Sequence, residues 1–171
     1  GHRIWMAPED VVLSYALDNA PVHAQVKSDT IILTGNLERE TGLQKQMIVK
    51  LAAQGTGVEV TQRIVNKGRK ARYFASWGLT MMAQGGVEII VLPPRGTHPK
   101  DLPPTNPLVM WAYTDFSDPR WHFTKKYLLL RNDPKQTSPQ KVGTFGTATA
   151  GAYLLDTDLF VKRSTARDPL K

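Results

Sequence analysis

Residues 58–94 decide the fold of this chain and read VEVTQRIVNKGRKARYFASWGLTMMAQGGVEIIVLPP. Alternating apolar and polar residues predict strands, and clusters of Gly, Asn and Pro predict the turns between them. The stretch predicts three successive strands, over residues 58–65, 71–79 and 87–92. A Pro-Pro pair ends the third, because proline cannot donate a ladder hydrogen bond. We expect an antiparallel meander, with residues 67–72 at its first hairpin turn.

The rest of the chain repeats this pattern, with turn signals about every 8 to 12 residues and no convincing amphipathic helix. Further strands are predicted over residues 3–6, 22–26, 30–34, 43–52, 108–113, 121–123, 127–131, 152–154 and 159–161, and around Val142 and Phe145. Residues 11–17 fit a strand or a turn, and the proline-rich residues 93–107 predict a surface loop. The sequence thus predicts an all-β sandwich or barrel, as a single domain over residues 1–162, followed by a polar tail or cut end at residues 163–171.

Composition excludes several kinds of site. The 171 residues include no cysteine, which excludes disulfides, thiolate metal sites and cysteine nucleophiles. No apolar run approaches the roughly 20 residues that a membrane-spanning helix needs. The formal net charge of +7 is spread evenly, with 10 basic and 7 acidic residues in the first 85 and 12 and 8 in the rest.

One basic cluster stands out, formed by Lys67, Arg69, Lys70 and Arg72. A solvated turn is its simpler interpretation, because nucleic-acid sites usually need a basic face rather than one basic tip. Binding of a polyanion or nucleic acid from Lys67 to Arg72 is kept as an alternative function.

Strand alternation divides the start of the chain into two faces, with His2 and Ile4 on one and Arg3 and Trp5 on the other. An indole offers an apolar plane to a sugar ring, and a guanidinium donates to its hydroxyls. Arg3 and Trp5 are therefore candidate sugar-binding residues. Trp77 and Trp111 share strand faces with other aromatic residues and are candidates for the same role. The alternative is that these rings fill the core and Arg3 lies on the surface.

His122 is the candidate catalytic residue. A histidine titrates near neutral pH, and Asp118, Arg120 and Lys126 lie close to it in the sequence. A structural role is the alternative. The other histidines lack metal-ligand spacing and no nucleotide-binding glycine motif occurs, so the sequence predicts neither a metal site nor a cofactor.

Four segments of the sequence carry a family resemblance: GHRIWMAPE at the start, IVNKGRKARYFASWGLTMMAQGG in the middle, LVMWAYTDFSDPRW after the proline loop and VGTFGTATAGAYLLDTDLFVKR near the end. Together they resemble an uncharacterised bacterial family of galactose mutarotase-like domains. The resemblance implies the antiparallel β-supersandwich of aldose 1-epimerases, incomplete at both ends, because the family would be expected to have a lead-in before Gly1 and further strands past Lys171. It also implies a bacterial protein, and it leaves the compartment open between cytoplasm, periplasm and the outside of the cell.

The same resemblance implies a sugar as the ligand. Aldose 1-epimerases use a histidine acid and a glutamate base, but the place of one such histidine is taken here by Phe74, Ala75, Ser76 and Trp77. His122 matches the other family histidine only loosely. We therefore expect a carbohydrate or another small polar ligand in a cleft lined by Arg3, Trp5 and Trp77, with His122 as a further candidate for its lining. A mutarotase-type sugar isomerase is the alternative.

Overall fold

The protein is all-β. A computed structural model describes residues 1–145 and 148–165, and within these residues there is no helix and every sheet is antiparallel. No helix of the described residues is long and apolar enough to cross a membrane. The chain divides into two compact units, Gly1–Met81 and a second that begins at Met82.

The first unit holds two sheets. In one, β1 (His2–Ala7) pairs with β6 (Ala75–Thr80). The other is a four-stranded antiparallel sheet in chain order. Its strands are β2 (His23–Lys27), β3 (Thr30–Leu37), β4 (Leu43–Leu51) and β5 (Val58–Asn66).

Tight turns join the strands of the four-stranded sheet. Lys27 pairs with Thr30, so the two residues between them close the β2–β3 hairpin, with Ser28 at a positive φ of 50°. Gly42, just before β4, has a φ of 70° that glycine adopts without steric cost. A register shift between Thr34 and Leu37 marks an irregularity in β3, beside the turn that leads to β4.

The second unit also holds two sheets. A five-stranded sheet has the order β13-β12-β7-β10-β9, and β11 pairs with β8. The strands are β7 (Val87–Val91), β8 (Leu108–Met110), β9 (Trp121–Phe123), β10 (Tyr127–Arg131), β11 (Val142–Thr144), β12 (Ala148–Leu155) and β13 (Asp158–Thr165).

Each unit has its own small core. The buried apolar residues of the first are Ile4, Met6 and Leu43, and those of the second are Trp121, Leu128 and Tyr153. The Tyr153 hydroxyl accepts a hydrogen bond from Gly86 N at 3.0 Å and donates to Ala83 O, which fastens β12 to the turn before β7.

The predicted meander of residues 58–94 is wrong, although its three strands exist. β5 pairs with β4, β6 pairs with β1, and β7 pairs with β10 and β12, so no two of the three pair with each other. Residues 67–72 are consequently a connection between sheets and not a hairpin turn. Turn residues determine where a strand ends. Which strand it pairs with depends instead on the burial of one of its faces against residues that are distant in the sequence.

Several predicted bounds also differ. The strand predicted over residues 108–113 ends at Met110, because Trp111–Thr114 forms a turn in which Thr114 N donates to Trp111 O at 2.9 Å. The strand predicted over residues 71–79 begins only at Ala75. β13 continues to Thr165, three residues beyond the predicted end of the domain at 162. Of the predicted tail, residues 166–171 lie outside the described residues.

Candidate functional site

The alternation predicted at the start of the chain is present in β1. Ile4 and Met6 are buried, while Arg3 and Trp5 on the other face are half-buried. Trp5 lies directly opposite Trp77 of β6. The structure therefore brings Arg3, Trp5 and Trp77 together on one face of the β1–β6 sheet.

Trp5 is the centre of an aromatic cluster. Its ring packs edge-to-face against Trp77, at 5.3 Å between centroids, and against Tyr15, at 4.8 Å. The Arg3 guanidinium carbon lies 4.9 Å from the Trp5 ring centroid, so the cation covers part of the indole plane. Arg3 Nη2 also donates to Asp18 Oδ1 at 2.8 Å.

Tyr15 and Asp18 reach this cluster through a turn that the sequence left undecided. Asp10 Oδ1 accepts hydrogen bonds from Val12 N and Leu13 N, which winds the segment into a turn rather than a strand. The buried Ser14 donates its hydroxyl to Met6 O at 2.8 Å and thereby ties the turn to β1. The turn positions Tyr15 beside Trp5.

A groove of about 650 Å³ opens beside this cluster, inside the first unit. It is bounded by β1, by the segment that contains Tyr15 and Asp18, and by one face of the four-stranded sheet. Its polar and aromatic lining includes Arg3, Tyr15, Asp18, Glu38, Lys45 and Gln62.

Lys45 and Gln62 are polar residues on the apolar face of the four-stranded sheet. Gln62 lies opposite Met47 on the neighbouring strand, and Lys45 lies opposite Ile64. Side chains two residues apart on a strand share a face, so Lys45 and Gln62 are diagonal neighbours. The sheet thus presents an ammonium group and an amide within an otherwise apolar surface.

Lys45 forms an ion pair with Glu38. Its Nζ lies 2.7 Å from Glu38 Oε1, and the two side chains are only 11% and 10% exposed. Nζ makes no well-aligned hydrogen bond within the described residues, so charge attraction holds the pair. The other oxygen of Glu38 accepts a hydrogen bond from the buried Thr41 hydroxyl at 2.7 Å, which fixes the carboxylate.

Four further polar atoms at or beside the groove are buried and have no hydrogen-bond partner in residues 1–145 and 148–165. They are Gln62 Nε2 and Oε1, Arg3 Nε and Trp5 Nε1. Burying such atoms unpaired costs free energy, and native proteins keep few of them. Arg3 and Gln62 therefore bring to the groove hydrogen-bonding atoms that no described residue satisfies.

The groove is also balanced in charge. Its three basic residues, Arg3, Arg39 and Lys45, are matched by three acidic ones, Asp18, Glu38 and Glu40. Two basic residues are already paired, Arg3 with Asp18 and Lys45 with Glu38. The groove therefore offers fixed hydrogen-bond donors and acceptors without a strong positive or negative electrostatic potential.

The other predicted site residues, Trp111 and His122, belong to the second unit. Lys141 Nζ lies 4.1 Å from the Trp111 ring centroid, and a Cβ on Gly143 would lie 3.4 Å from the same ring, so both pack against this indole. His122 is exposed on β9. No hydrogen bond or ion pair of its side chain is found in the described part of the chain.

The polar residues near His122 in sequence bond to one another instead. Asp118 and Arg120 pair at 2.7 Å, and Gln140 Nε2 donates to Asp118 Oδ2 at 3.2 Å. The Arg120 hydrogen bonds lower the pKa of Asp118 from 3.8 to about 2. Gln140 Oε1 also accepts from Trp121 Nε1 at 3.1 Å, so this network fastens the loop around residue 118 to β9.

No metal centre is evident in the part of the chain that the structure describes, where no three His, Asp or Glu residues are grouped to hold an ion. Comparisons of the chain with protein-family models, curated proteins and solved structures found no match.

Proposed function

We propose that the protein binds an uncharged carbohydrate unit in the groove of the first unit. The observation that carries the proposal is the set of buried, unpartnered polar atoms of Arg3 and Gln62 in a charge-balanced groove, with that of Trp5 in the adjoining aromatic cluster. A sugar hydroxyl both donates and accepts, and so does the Gln62 amide. A ligand of this kind would satisfy atoms that are otherwise costly to bury.

The size and lining of the groove support a ligand of one or two sugar rings. Small-molecule sites commonly measure about 300 to 1,000 Å³, and the groove lies within that range at about 650 Å³. Charge balance disfavours an isolated phosphate or a free cation, either of which would require an excess of the opposite charge. The exposed Tyr15 ring adds an aromatic surface at the edge.

The galactose mutarotase-like supersandwich remains part of this proposal. The antiparallel sheets and the lack of any helix in the described residues support it at the level of fold class. A catalytic role for His122 stays a prediction, and non-catalytic binding is the function we propose.

Calorimetric titration with a panel of neutral mono- and disaccharides tests the proposal. Gln62→Leu removes both amide atoms at nearly constant volume, and we expect it to weaken binding roughly tenfold or more. Gln25→Leu is the matched control, because Gln25 lies on the opposite face of the same sheet and is exposed. The proposal fails if no sugar in the panel binds the wild-type protein, or if both variants retain its affinity.

A further inference from the structure

The connection between β5 and β6 carries the densest positive charge of the first unit. Lys67, Arg69, Lys70 and Arg72 fall within six residues, and none of them forms an ion pair within residues 1–145 and 148–165. The next residue, Tyr73, is 97% exposed. We refer to residues 67–73 as the basic loop.

Asn66 gives the basic loop a defined shape. Its Oδ1 accepts a hydrogen bond from Gly68 N, and its Nδ2 donates to Lys70 O, both at 2.9 Å. One amide therefore holds the loop backbone at Gly68 and Lys70, on either side of Arg69. Preorganised charges lose less conformational entropy when they bind a ligand.

The basic loop adjoins the edge of the groove. Lys67 N donates to Gly42 O at 2.9 Å, and a Cβ on Gly42 would lie 3.1 Å from Gly68 Cα. Gly42 N in turn donates to Glu38 O at 2.8 Å, and Glu38 lines the groove. Two consecutive backbone hydrogen bonds thus connect the cationic loop to the proposed sugar site.

We propose that the natural ligand is an acidic oligosaccharide, with one sugar unit in the groove and the carboxylate or sulfate groups of adjoining units bound by the basic loop. This inference rests on the proposed function and adds the charge class of the ligand. Arginine and lysine donate charge-assisted hydrogen bonds to such oxyanions, and the exposed Tyr73 ring offers a surface for a sugar face.

The groove favours a glycan over a nucleic acid as the polyanion. A nucleic acid carries a phosphate at every nucleotide, and the charge-balanced groove supplies no excess of positive charge to bind a continuing phosphate backbone. A glycan is made of polar rings with charged groups outside them, so it can place a hydroxylated ring in the balanced groove and its acidic groups on the loop.

The test compares hexasaccharides of alternating neutral and uronic acid units with their fully methyl-esterified forms, which keep the rings and lose the charges. Calorimetry at low salt would be run on wild-type protein and on Lys67→Gln/Arg69→Gln/Lys70→Gln/Arg72→Gln. The control is Lys125→Gln/Lys126→Gln/Arg131→Gln/Lys135→Gln, which removes four exposed positive charges from the second unit. A dT hexamer is included as a polyanion without sugar acids.

We expect at least one acidic hexasaccharide to bind the wild type roughly tenfold more tightly than its ester, because a few exposed charge contacts together contribute about that factor. The loop variant should lose this preference and keep its affinity for the ester, while the control should retain both. Equal affinity for acid and ester, an unchanged preference in the loop variant, or equally tight binding of the dT hexamer would overturn the inference. If the ester binds neither the wild type nor the variants, the proposed sugar site in the groove is rejected instead.

Discussion

Trp5 and Trp77 lie directly opposite each other across the β1–β6 pair, with their ring centroids 5.3 Å apart and their planes at 83°. Edge-to-face pairs of this kind contribute about 1 kcal/mol beyond the area that they bury. The pair joins the beginning of the first unit to its end, and it also supports Arg3 and Tyr15 beside the groove.

The first prediction concerns this pair. A double-mutant cycle of Trp5→Leu and Trp77→Leu, followed by urea unfolding, should give a coupling energy of about 1 kcal/mol. Trp5→Leu should cost more than Trp77→Leu, because Trp5 also contacts Tyr15 and Arg3. Additive effects, within about 0.3 kcal/mol, would show that the two rings do not interact in solution.

The second prediction concerns the ion pair between Lys45 and Glu38. Lys45→Met leaves the carboxylate covered without its cation and should lower the free energy of unfolding by about 3 kcal/mol. Glu38→Met/Lys45→Met removes both charges and should recover part of that loss, although the Thr41 hydroxyl then loses its acceptor. Denaturant unfolding measures both variants. A double variant less stable than Lys45→Met would contradict this description.

The third prediction follows from the unpartnered amide of Gln62. Gln62→Leu should raise the free energy of unfolding by about 1 kcal/mol, because a buried amide without partners is replaced by an apolar side chain. Gln25→Leu, on the exposed face, should change it by less than about 0.5 kcal/mol. A gain in stability together with a loss of sugar affinity is the behaviour of a binding residue. A destabilised Gln62→Leu would mean that the amide is satisfied in the folded protein.

The fourth prediction concerns acid stability. The pKa of Asp118 is about 2 in the folded protein and 3.8 is its usual value, so the folded state prefers the ionised carboxylate. This contribution is fully present above about pH 4 and is lost as the pH falls towards 2. The urea midpoint should therefore fall less between pH 5 and pH 2.5 for Asp118→Asn than for the wild type. Equal falls in the two proteins would contradict the assigned Asp118–Arg120 pair.

Strand positions were predictable from the sequence to a greater extent than strand partners. Residues 58–65 form a strand as predicted, because alternation and turn chemistry are local signals. The pairing of β1 with β6 was not predictable, since about 70 residues separate the two strands and no local pattern selects between possible partners. The same limit explains why the predicted meander of residues 58–94 is divided among three sheets.

The candidate site was predictable in part. Alternation grouped Arg3 with Trp5, and the structure places Trp77 beside them. Gln62 also carried a signal, because it stands in phase with Val58, Val60 and Ile64 as an amide within an apolar series. Lys45 stands likewise in phase with Leu43 and Met47. Tyr15 carried no such signal, since its place depends on a turn closed by Ser14 against β1.

The Trp5 indole signal provides the most direct test of sugar binding in the groove. In a ¹H–¹⁵N NMR titration with neutral sugars, the four tryptophan Nε1–H signals can be assigned by single Trp→Phe variants. Trp5 Nε1 is buried and without a partner beside the groove, so its signal should shift saturably with at least one sugar, while that of Trp111, against Lys141, stays unchanged. Saturable binding that leaves the Trp5 signal in place, or no saturable shift with any sugar, would contradict the proposed site.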